Sequence, residues 1–179
     1  NDKGVFALDG RLALASITRG KLQRLTAPAL RVRGDATLEN RRLAAKLGLV
    51  SQALIADLSG TIDLANNRFS PLNVDARLLQ PPALFPNMTG RDVTLKARLD
   101  GAFGSASFDY LLTAPFVAFD KTGFEMVRAS GQGRLGKSPV IVPLKLTARR
   151  ITGVGDVAGG ILANISVTGP LSVTGKALV

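Results

Sequence analysis

Two alternating segments, LNVDARL at residues 72–78 and VTLKARL at residues 93–99, flank the segment LQPPALFPNMTG at residues 79–90. Apolar and polar residues alternate in both without a slip, which is the period-two pattern of a strand with one apolar face. Two prolines in the middle segment favour the start of a short helix, and the later Pro, Asn and Gly disfavour its continuation. We therefore predict two strands of a one-faced sheet, joined by one or two helical turns that carry an apolar plug of Leu84, Phe85 and Met88.

The composition argues against several kinds of catalytic and metal-binding site. The 179 residues include no Cys and no His, which excludes disulfides and removes the commonest general base and transition-metal ligand. Carboxylates are scattered singly, and no pair has a spacing that indicates acid–base catalysis or a calcium loop. We therefore expect neither an enzyme nor a metal or cofactor site.

The net charge of +10, from 23 Lys and Arg against 13 Asp and Glu, favours an anionic partner. Nucleic acid and anionic lipid are the two large candidates. The basic residues are spread singly over polar strand faces, and a dense arginine cluster interleaved with aromatic residues is missing. This distribution disfavours a nucleic-acid partner, which only the net charge supports.

Alternation continues along most of the chain, and turn residues separate the alternating segments. Further strands are predicted at residues 5–17, 22–33, 61–65, 106–112, 116–119, 124–129, 140–148 and 161–167. Turns are predicted at residues 19–21 and 34–35 and around Gly131, Gly133 and Gly136. Pro115 is predicted to end a strand, because proline cannot donate to the ladder.

Residues 35–58 fit two structures. The apolar positions 43, 47, 50 and 54 have helical spacing, whereas positions 43, 45, 47 and 49 alternate as in a strand. Gly48 would fall in the interior of the helix, where glycine is unfavourable. We favour strands, and the helical alternative stays open.

Glycine recurs in phase with the apolar positions, at Gly10, Gly60, Gly101 and Gly169. A glycine there removes one side chain from the apolar face and lets the strand bend or form a bulge. Repeated bends would curl a sheet around its apolar side. The Asp-Gly pairs at residues 9–10 and 100–101 also fit hairpin turns, and both alternatives predict an all-β meander.

One short sequence pattern occurs twice in the chain. Leu-Asp-Gly at residues 8–10 is followed by Leu-Thr-Ala-Pro at 25–28, and Leu-Asp-Gly at 99–101 is followed by Leu-Thr-Ala-Pro at 112–115. The order is the same in both copies. We predict two degenerate repeats, at residues 5–80 and 91–179.

The recurring Leu-Asp-Gly and Leu-Ser-Gly strand starts, RRLAA at residues 41–45 and LLQPPALFP at residues 78–86 resemble the AsmA-like superfamily of Gram-negative envelope proteins, in particular its TamB-type and YdbH-type members. The resemblance implies a long antiparallel sheet curled into a U-shaped groove with an apolar interior and without a catalytic site. It also implies that residues 1–179 are one groove segment of a longer periplasmic protein with an inner-membrane anchor outside this segment.

The function that the resemblance implies is transport of phospholipids between the inner and outer membranes. The alternative is a scaffold that assists assembly of outer-membrane proteins by β-strand addition. On the transport hypothesis, acyl chains lie on the apolar face, and Arg77, Lys96 and Arg98 stand at the rim, where they meet lipid phosphates. The residues that we predict to line the groove are Leu72, Val74, Leu78, Val93, Leu95, Leu99, Phe108, Tyr110, Leu112, Val142, Leu144 and Leu146.

Overall fold

The computed structural model describes residues 3–13, 20–136, 140–153 and 162–173. Within these ranges the chain forms eleven strands, one short helix and one 3₁₀ turn, which confirms the predicted all-β fold. The helix α1 spans Gly20–Thr26, and the 3₁₀ turn spans Pro81–Ala83. The strands are β1 (Lys3–Leu12), β2 (Leu30–Glu39), β3 (Arg42–Val50), β4 (Leu54–Asp63), β5 (Arg68–Leu78), β6 (Met88–Arg91), β7 (Val93–Ala102), β8 (Ser107–Phe119), β9 (Thr122–Arg134), β10 (Val140–Thr152) and β11 (Leu162–Val173).

The strands pair antiparallel in chain order and form one open sheet, β1-β2-β3-β4-β5-β7-β8-β9-β10-β11. The short strand β6 pairs with the last four residues of β8, whereas β7 pairs with its first half. Asp92 separates β6 from β7 and has a positive φ of 50°. β6 and β7 are therefore two parts of one broken strand beside β8.

The ambiguous segment 35–58 is extended, as favoured, and contributes to β2, β3 and β4. Its register explains why the alternating pattern prevails over the helical one. Leu43, Leu47 and Leu49 pair with Ile62, Leu58 and Ala56 on the apolar face, whereas Val50 points to the other face and is exposed.

One row of directly paired residues crosses all ten strands of the main path and contains no polar side chain. Paired residues share a face of the sheet, and the next row along the strands points to the opposite face. We call this row the central apolar row; its members are Gly10, Val32, Leu49, Ala56, Ala76, Leu95, Leu112, Ala129, Leu146 and Val167. The adjacent row on the opposite face is mostly polar: Arg11, Arg31, Val50, Ile55, Arg77, Thr94, Thr113, Arg128, Thr147 and Ser166.

A bulge in β5 bends the sheet. Ser70 and Pro71 lie between paired positions, because the register shifts between Gly60 and Ile62 against β4 and between Phe69 and Leu72 against β7. Such bulges raise the local twist and bend the strand. The sheet is open and curls around its apolar face into a groove, as predicted.

The prediction that the sheet bends or bulges at the in-phase glycines is only partly right. Gly60 and Gly101 border the bulge, but Gly10 and Gly169 lie in regular register opposite Val32 and Leu144. The hairpin alternative at residues 9–10 and 100–101 is wrong, because both Asp-Gly pairs lie inside strands. An Asp-Gly pair makes a turn only where the chain can leave the ladder, and here both neighbours of each pair are held by cross-strand partners.

The predicted strand at residues 22–33 is wrong in its first part, since α1 continues to Thr26 and β2 begins at Leu30. The Thr26 hydroxyl donates a hydrogen bond of 2.8 Å to the carbonyl of Leu22, one turn earlier. The hydroxyl of Ser51 in turn donates to the carbonyl of Leu25 at 2.5 Å. These contacts satisfy polar groups at the end of the helix, and a local pattern cannot foresee the second of them. Of the strand predicted at residues 5–17, residues 14–17 lie outside the described part of the chain, and so does Ile161.

The predicted break at Pro115 is also wrong, because β8 runs through it. Pro115 and its opposite residue, Met126, are left unpaired, so that the missing N–H of proline costs no ladder bond. Met126 has a φ of 52° and is 58% exposed. At the level of Pro115 and Met126, the inward-facing positions of β8, β9 and β10 change between even and odd residue numbers. The inward residues before and after this change are Ala114 and Val117 in β8, Val127 and Phe124 in β9, and Ala148 and Ile151 in β10.

The turns predicted at glycines 34, 131 and 133 are wrong as well, since all three lie inside strands. Gly131 and Gly133 lie opposite Tyr110 and Phe108. A Cβ on Gly131 would lie 2.9 Å from a ring carbon of Tyr110. The same Cβ would lie 1.8 Å from the carbonyl oxygen of Pro143, so Gly131 makes room for the backbone of β10 as well as for the ring. The sequence pattern alone does not distinguish such a role from a turn.

Replacing Gly60 by Ala should lower the free energy of unfolding by more than about 1 kcal/mol. Gly60 has a φ of 155°, and a Cβ there would lie 2.1 Å from the carbonyl oxygen of Pro71. The matched control is Gly10→Ala on β1, where nothing lies within 4 Å of the added Cβ. Urea unfolding of both variants is the measurement, and equal losses of stability would contradict this account of the bulge.

Asp63 organises the turn between β4 and β5 and is 4% exposed. Its carboxylate accepts hydrogen bonds from the backbone N–H of Ala65 and Asn66 and from Asn66 Nδ2, at 2.9 to 3.0 Å. The hydrogen bonds from Asn66, with the Arg42 guanidinium 3.4 Å away, lower the pKa of Asp63. The charged carboxylate is therefore favoured in the folded chain.

Acid should destabilise the fold in part through Asp63. Because its folded pKa is lowered, its contribution is present above the unfolded pKa of about 3.9 and is lost as pH falls through the folded value. Urea unfolding between pH 6 and pH 2 should show a decline that Asp63→Asn reduces and Asn66→Ala reduces in part. The same acid dependence in all three proteins would contradict this assignment.

Candidate functional site

All twelve residues predicted to line a groove lie on the apolar face of the sheet. Leu95, Leu112 and Leu146 belong to the central apolar row, and the other nine alternate with them or pair across strands on the same side. Each is buried or half-buried. The structure therefore places the twelve on one surface; their contact with lipid stays a prediction.

The sequence-based set covers only part of this surface. Strands β2 to β4 add equivalent residues, including Val32, Leu47, Leu49 and Leu58. The sequence at residues 43–49 alternates, although helical spacing competes with alternation there. The predicted residues lie on β5, β7, β8 and β10, whereas the apolar face extends over all ten strands of the main path.

Of the predicted plug, Leu84 and Phe85 directly follow the 3₁₀ turn and line an apolar cavity on the apolar face. Met88 also lines it, but it belongs to the sheet, as the first residue of β6 opposite Phe119 of β8. The 3₁₀ turn is closed by the hydrogen bond from Leu84 N–H to the carbonyl of Pro81 at 3.0 Å. Met88 is buried in a cluster with Val93 of β7, Val117 of β8, Val127 of β9 and residues of β10. The plug thus joins four neighbouring strands from the groove side.

An apolar cavity of about 230 Å³ lies between the plug and the sheet. Phe85 packs edge-on against Phe119 with ring centroids 6.0 Å apart, and Phe119 packs in the same way against Phe124 at 6.5 Å. These rings and the buried alanines of β8 and β9 form its walls. Every residue that lines the cavity is apolar.

Helix α1 holds the plug from outside. The Nε of Arg24 donates a hydrogen bond of 2.9 Å to the carbonyl of Ala83, and the Nζ of Lys21 lies 4.6 Å from the centroid of the Phe85 ring. The first is a charge-assisted hydrogen bond and the second a cation–π contact. Two segments that are 59 residues apart in sequence thus meet at one end of the groove.

Replacing Arg24 by Ala should loosen the plug. Loss of the bond to Ala83 removes about 1 kcal/mol or more from the closed arrangement, so amide exchange at residues 81–88 should accelerate about fivefold or more. Hydrogen–deuterium exchange with peptide mass spectrometry is the measurement. The control is Arg33→Ala, which removes an ion pair of 3.3 Å with Asp9 on the other face; equal exchange in both variants would contradict the role of Arg24.

The three cations predicted at the groove rim lie on the outer face instead. Arg77, Lys96 and Arg98 alternate with groove residues and therefore point away from them. Lys96 Nζ lies 2.7 Å from Asp75, and Arg77 contacts Asp92. Arg98 Nη2 lies 4.0 Å from Asp100 Oδ2. Their predicted contact with phosphates at the rim is wrong for this arrangement, because period-two alternation puts mid-strand charges opposite the apolar side.

Tyr110 closes a local gap in the sheet. Among the described residues, pairing between β9 and β10 stops at Ser130 and Lys145. The Tyr110 side chain passes over Gly131, its partner on β9. Its hydroxyl donates a hydrogen bond of 3.0 Å to the carbonyl of Pro143 on β10. Burial raises the pKa of this hydroxyl, which keeps it a donor.

The described residues contain no group of three or more carboxylates that could hold a metal ion. In the same ranges no helix has the length and apolarity that a membrane span needs. Comparison with known protein families, with curated proteins and with solved structures finds no match to this chain.

Proposed function

We propose that this chain is a segment of an envelope protein that carries phospholipids between the inner and outer membranes in the groove of its sheet. The observation that carries the proposal is the central apolar row, which crosses ten strands without one polar side chain. In the described part of the chain, the plug packs on one end of that face, and α1 contacts the plug through Arg24 and Lys21. A wide apolar surface with so little protein over it needs another apolar partner.

The energetics favour acyl chains as that partner. Exposure of hydrocarbon to water costs about 0.8 kcal/mol per CH₂, so a chain of ordinary membrane length costs on the order of 10 kcal/mol. A continuous apolar face removes most of that cost at every point along it. The polar head group stays in water, since the row offers it no partner.

The charge distribution supports work near anionic membranes. The net charge of +10 is attracted to anionic lipid surfaces. The outer face carries many of the charged residues, some of them in ion pairs, for example Arg31 and Arg33 with Asp9. The charged face thus keeps the sheet in water while the apolar face carries cargo.

The resemblance to the AsmA-like superfamily supports the same proposal and adds a location. It points to the periplasm, with an inner-membrane anchor and membrane contacts supplied by parts of the protein outside this segment. Transport by a groove needs no catalytic residue. We therefore propose a non-enzymatic carrier segment.

A second candidate is a scaffold that receives strands of outer-membrane proteins. The observation that favours it is the edge strand β1, which among the described residues pairs only with β2. Its Val5 is 69% exposed, and Phe6, Leu8 and Leu12 are exposed as well. An apolar edge of ten residues can accept an added strand.

The test of the proposed transport compares Leu95→Glu with Leu111→Glu. The two leucines lie one register step apart in the β7–β8 pair, on opposite faces. A carboxylate at Leu95 would have to be desolvated against acyl chains, so bound phospholipid should fall by about tenfold or more. Native mass spectrometry with lipid extraction measures the bound lipid, and circular dichroism checks the fold.

The Leu111→Glu variant should keep its lipid, because Leu111 lies beside Lys96 on the outer face. Equal losses in both variants would contradict the assignment of the faces. A wild-type chain that is free of lipid after purification and after incubation with vesicles would contradict transport and favour the strand-receiving scaffold.

A further inference from the structure

The cavity beneath the plug differs from the rest of the apolar face because protein covers it from both sides. Leu84 and Phe85 form one wall, and Met88 of β6 and the apolar faces of β7 to β10 form the other. Met88 and Val93 are buried at its margin. The remaining apolar face has no such second wall in the described residues, so this half-open cavity is the more sheltered end of the groove.

The size of the cavity sets the size of what it can hold. Its volume is about 230 Å³, against the roughly 150 Å³ of an engineered apolar cavity that stays dry and binds benzene. The occupant is therefore a hydrocarbon segment somewhat larger than one benzene ring. One acyl chain end fits this description, and two chains side by side do not.

The chemistry of the walls excludes a head group. All lining residues are apolar, and the charged side chains that contact the plug, Lys21 and Arg24, are not among them. A phosphate, glycerol or carboxylate placed inside would lose its hydrogen bonds to water without replacement. The end that enters must be the methyl end.

The cavity is continuous with the groove. Leu112, Ala129 and Leu146 line it and also belong to the central apolar row. A chain that lies on the row can therefore extend into the cavity without crossing a polar side chain. Space there exists because β8 and β9 contribute Ala114, which is 2% exposed, and Ala129 instead of larger residues.

We infer that the cavity under the plug binds the methyl end of a single phospholipid acyl chain, and that the small side chain of Ala129, where the cavity meets the central apolar row, lets the chain enter. This inference rests on the proposed function, since the remainder of the chain must lie in the groove. It assigns the plug a role as an end-stop that seats one lipid in a defined position.

The experiment uses the full chain and two photoactivatable phosphatidylethanolamines, one with a diazirine at the methyl end of an acyl chain and one with it next to the ester. Each is incorporated into vesicles, incubated with the protein, irradiated and mapped by peptide mass spectrometry. The methyl-end probe should label the plug and the facing segments of β8 and β9 about tenfold more than the ester-end probe does, because the cavity rejects polar groups.

The matched variants are Ala129→Leu, inside the cavity, and Ala45→Leu, on the same face in β3 and remote from the plug. Ala129→Leu should abolish labelling of the cavity while lipid still binds elsewhere, and Ala45→Leu should leave it unchanged. If Ala129→Leu does not fold, the comparison of the two probes on the wild-type chain decides alone.

The outcomes separate this inference from the proposed function. Lipid that binds but labels the whole apolar face evenly with both probes would overturn the end-stop and leave transport standing. Labelling of the cavity by a fatty acid with a methyl-end diazirine, but not by the phospholipid, would overturn the choice of ligand. Absence of any bound lipid would overturn both.

Discussion

The structure depends on keeping ten strands in a register that holds every apolar stripe on the same side of the sheet. A slip of one residue would turn a strand's leucines to the outer face and its charges into the groove. Every pairing of the main path respects this phase, from Gly10 opposite Val32 at one edge to Leu146 opposite Val167 at the other. The groove is thus a property of the whole sheet, and any single strand can only contribute a stripe.

The irregularities preserve that phase. The bulge at Ser70 and Pro71 lets both Phe69 and Leu72 pair with residues of the apolar face, although they are three positions apart. At the level of Pro115 and Met126, β8, β9 and β10 shift together, so that the cluster around the plug stays apolar. Bulges and unpaired positions therefore bend the sheet without exposing its inner side, which is how an open sheet acquires a concave surface.

In the described part of the chain, little protein lies over the inner face of the sheet. Among the described residues, no large side chain is completely buried, and most of the buried core consists of alanine and valine. The plug covers one end and is held there by α1 through the Arg24 hydrogen bond and the Lys21 contact. On the proposed function, an acyl chain that binds only the folded sheet would stabilise the fold by mass action. The surface ion pairs of the outer face contribute little stability and chiefly keep that face hydrated.

The sequence by itself determined the strands, their apolar faces and the plug, because alternation and proline placement are local properties. Residues 72–78 and 93–99 form strands that pair directly with each other, and all twelve predicted groove residues lie on one face. Local patterns did not determine the helix at Gly20–Thr26, the passage of β8 through Pro115, or the in-strand positions of Gly34 and Gly131. Each of these depends on a residue of another element. Ser51 binds the end of the helix, and Met126 leaves the position opposite Pro115 without a ladder bond. The backbone of Lys46 and the ring of Tyr110 occupy the space beside Gly34 and Gly131. Only the tertiary structure decided that Arg77, Lys96 and Arg98 face outward beside carboxylates, and that the plug encloses a cavity, because those outcomes follow from register and packing between strands.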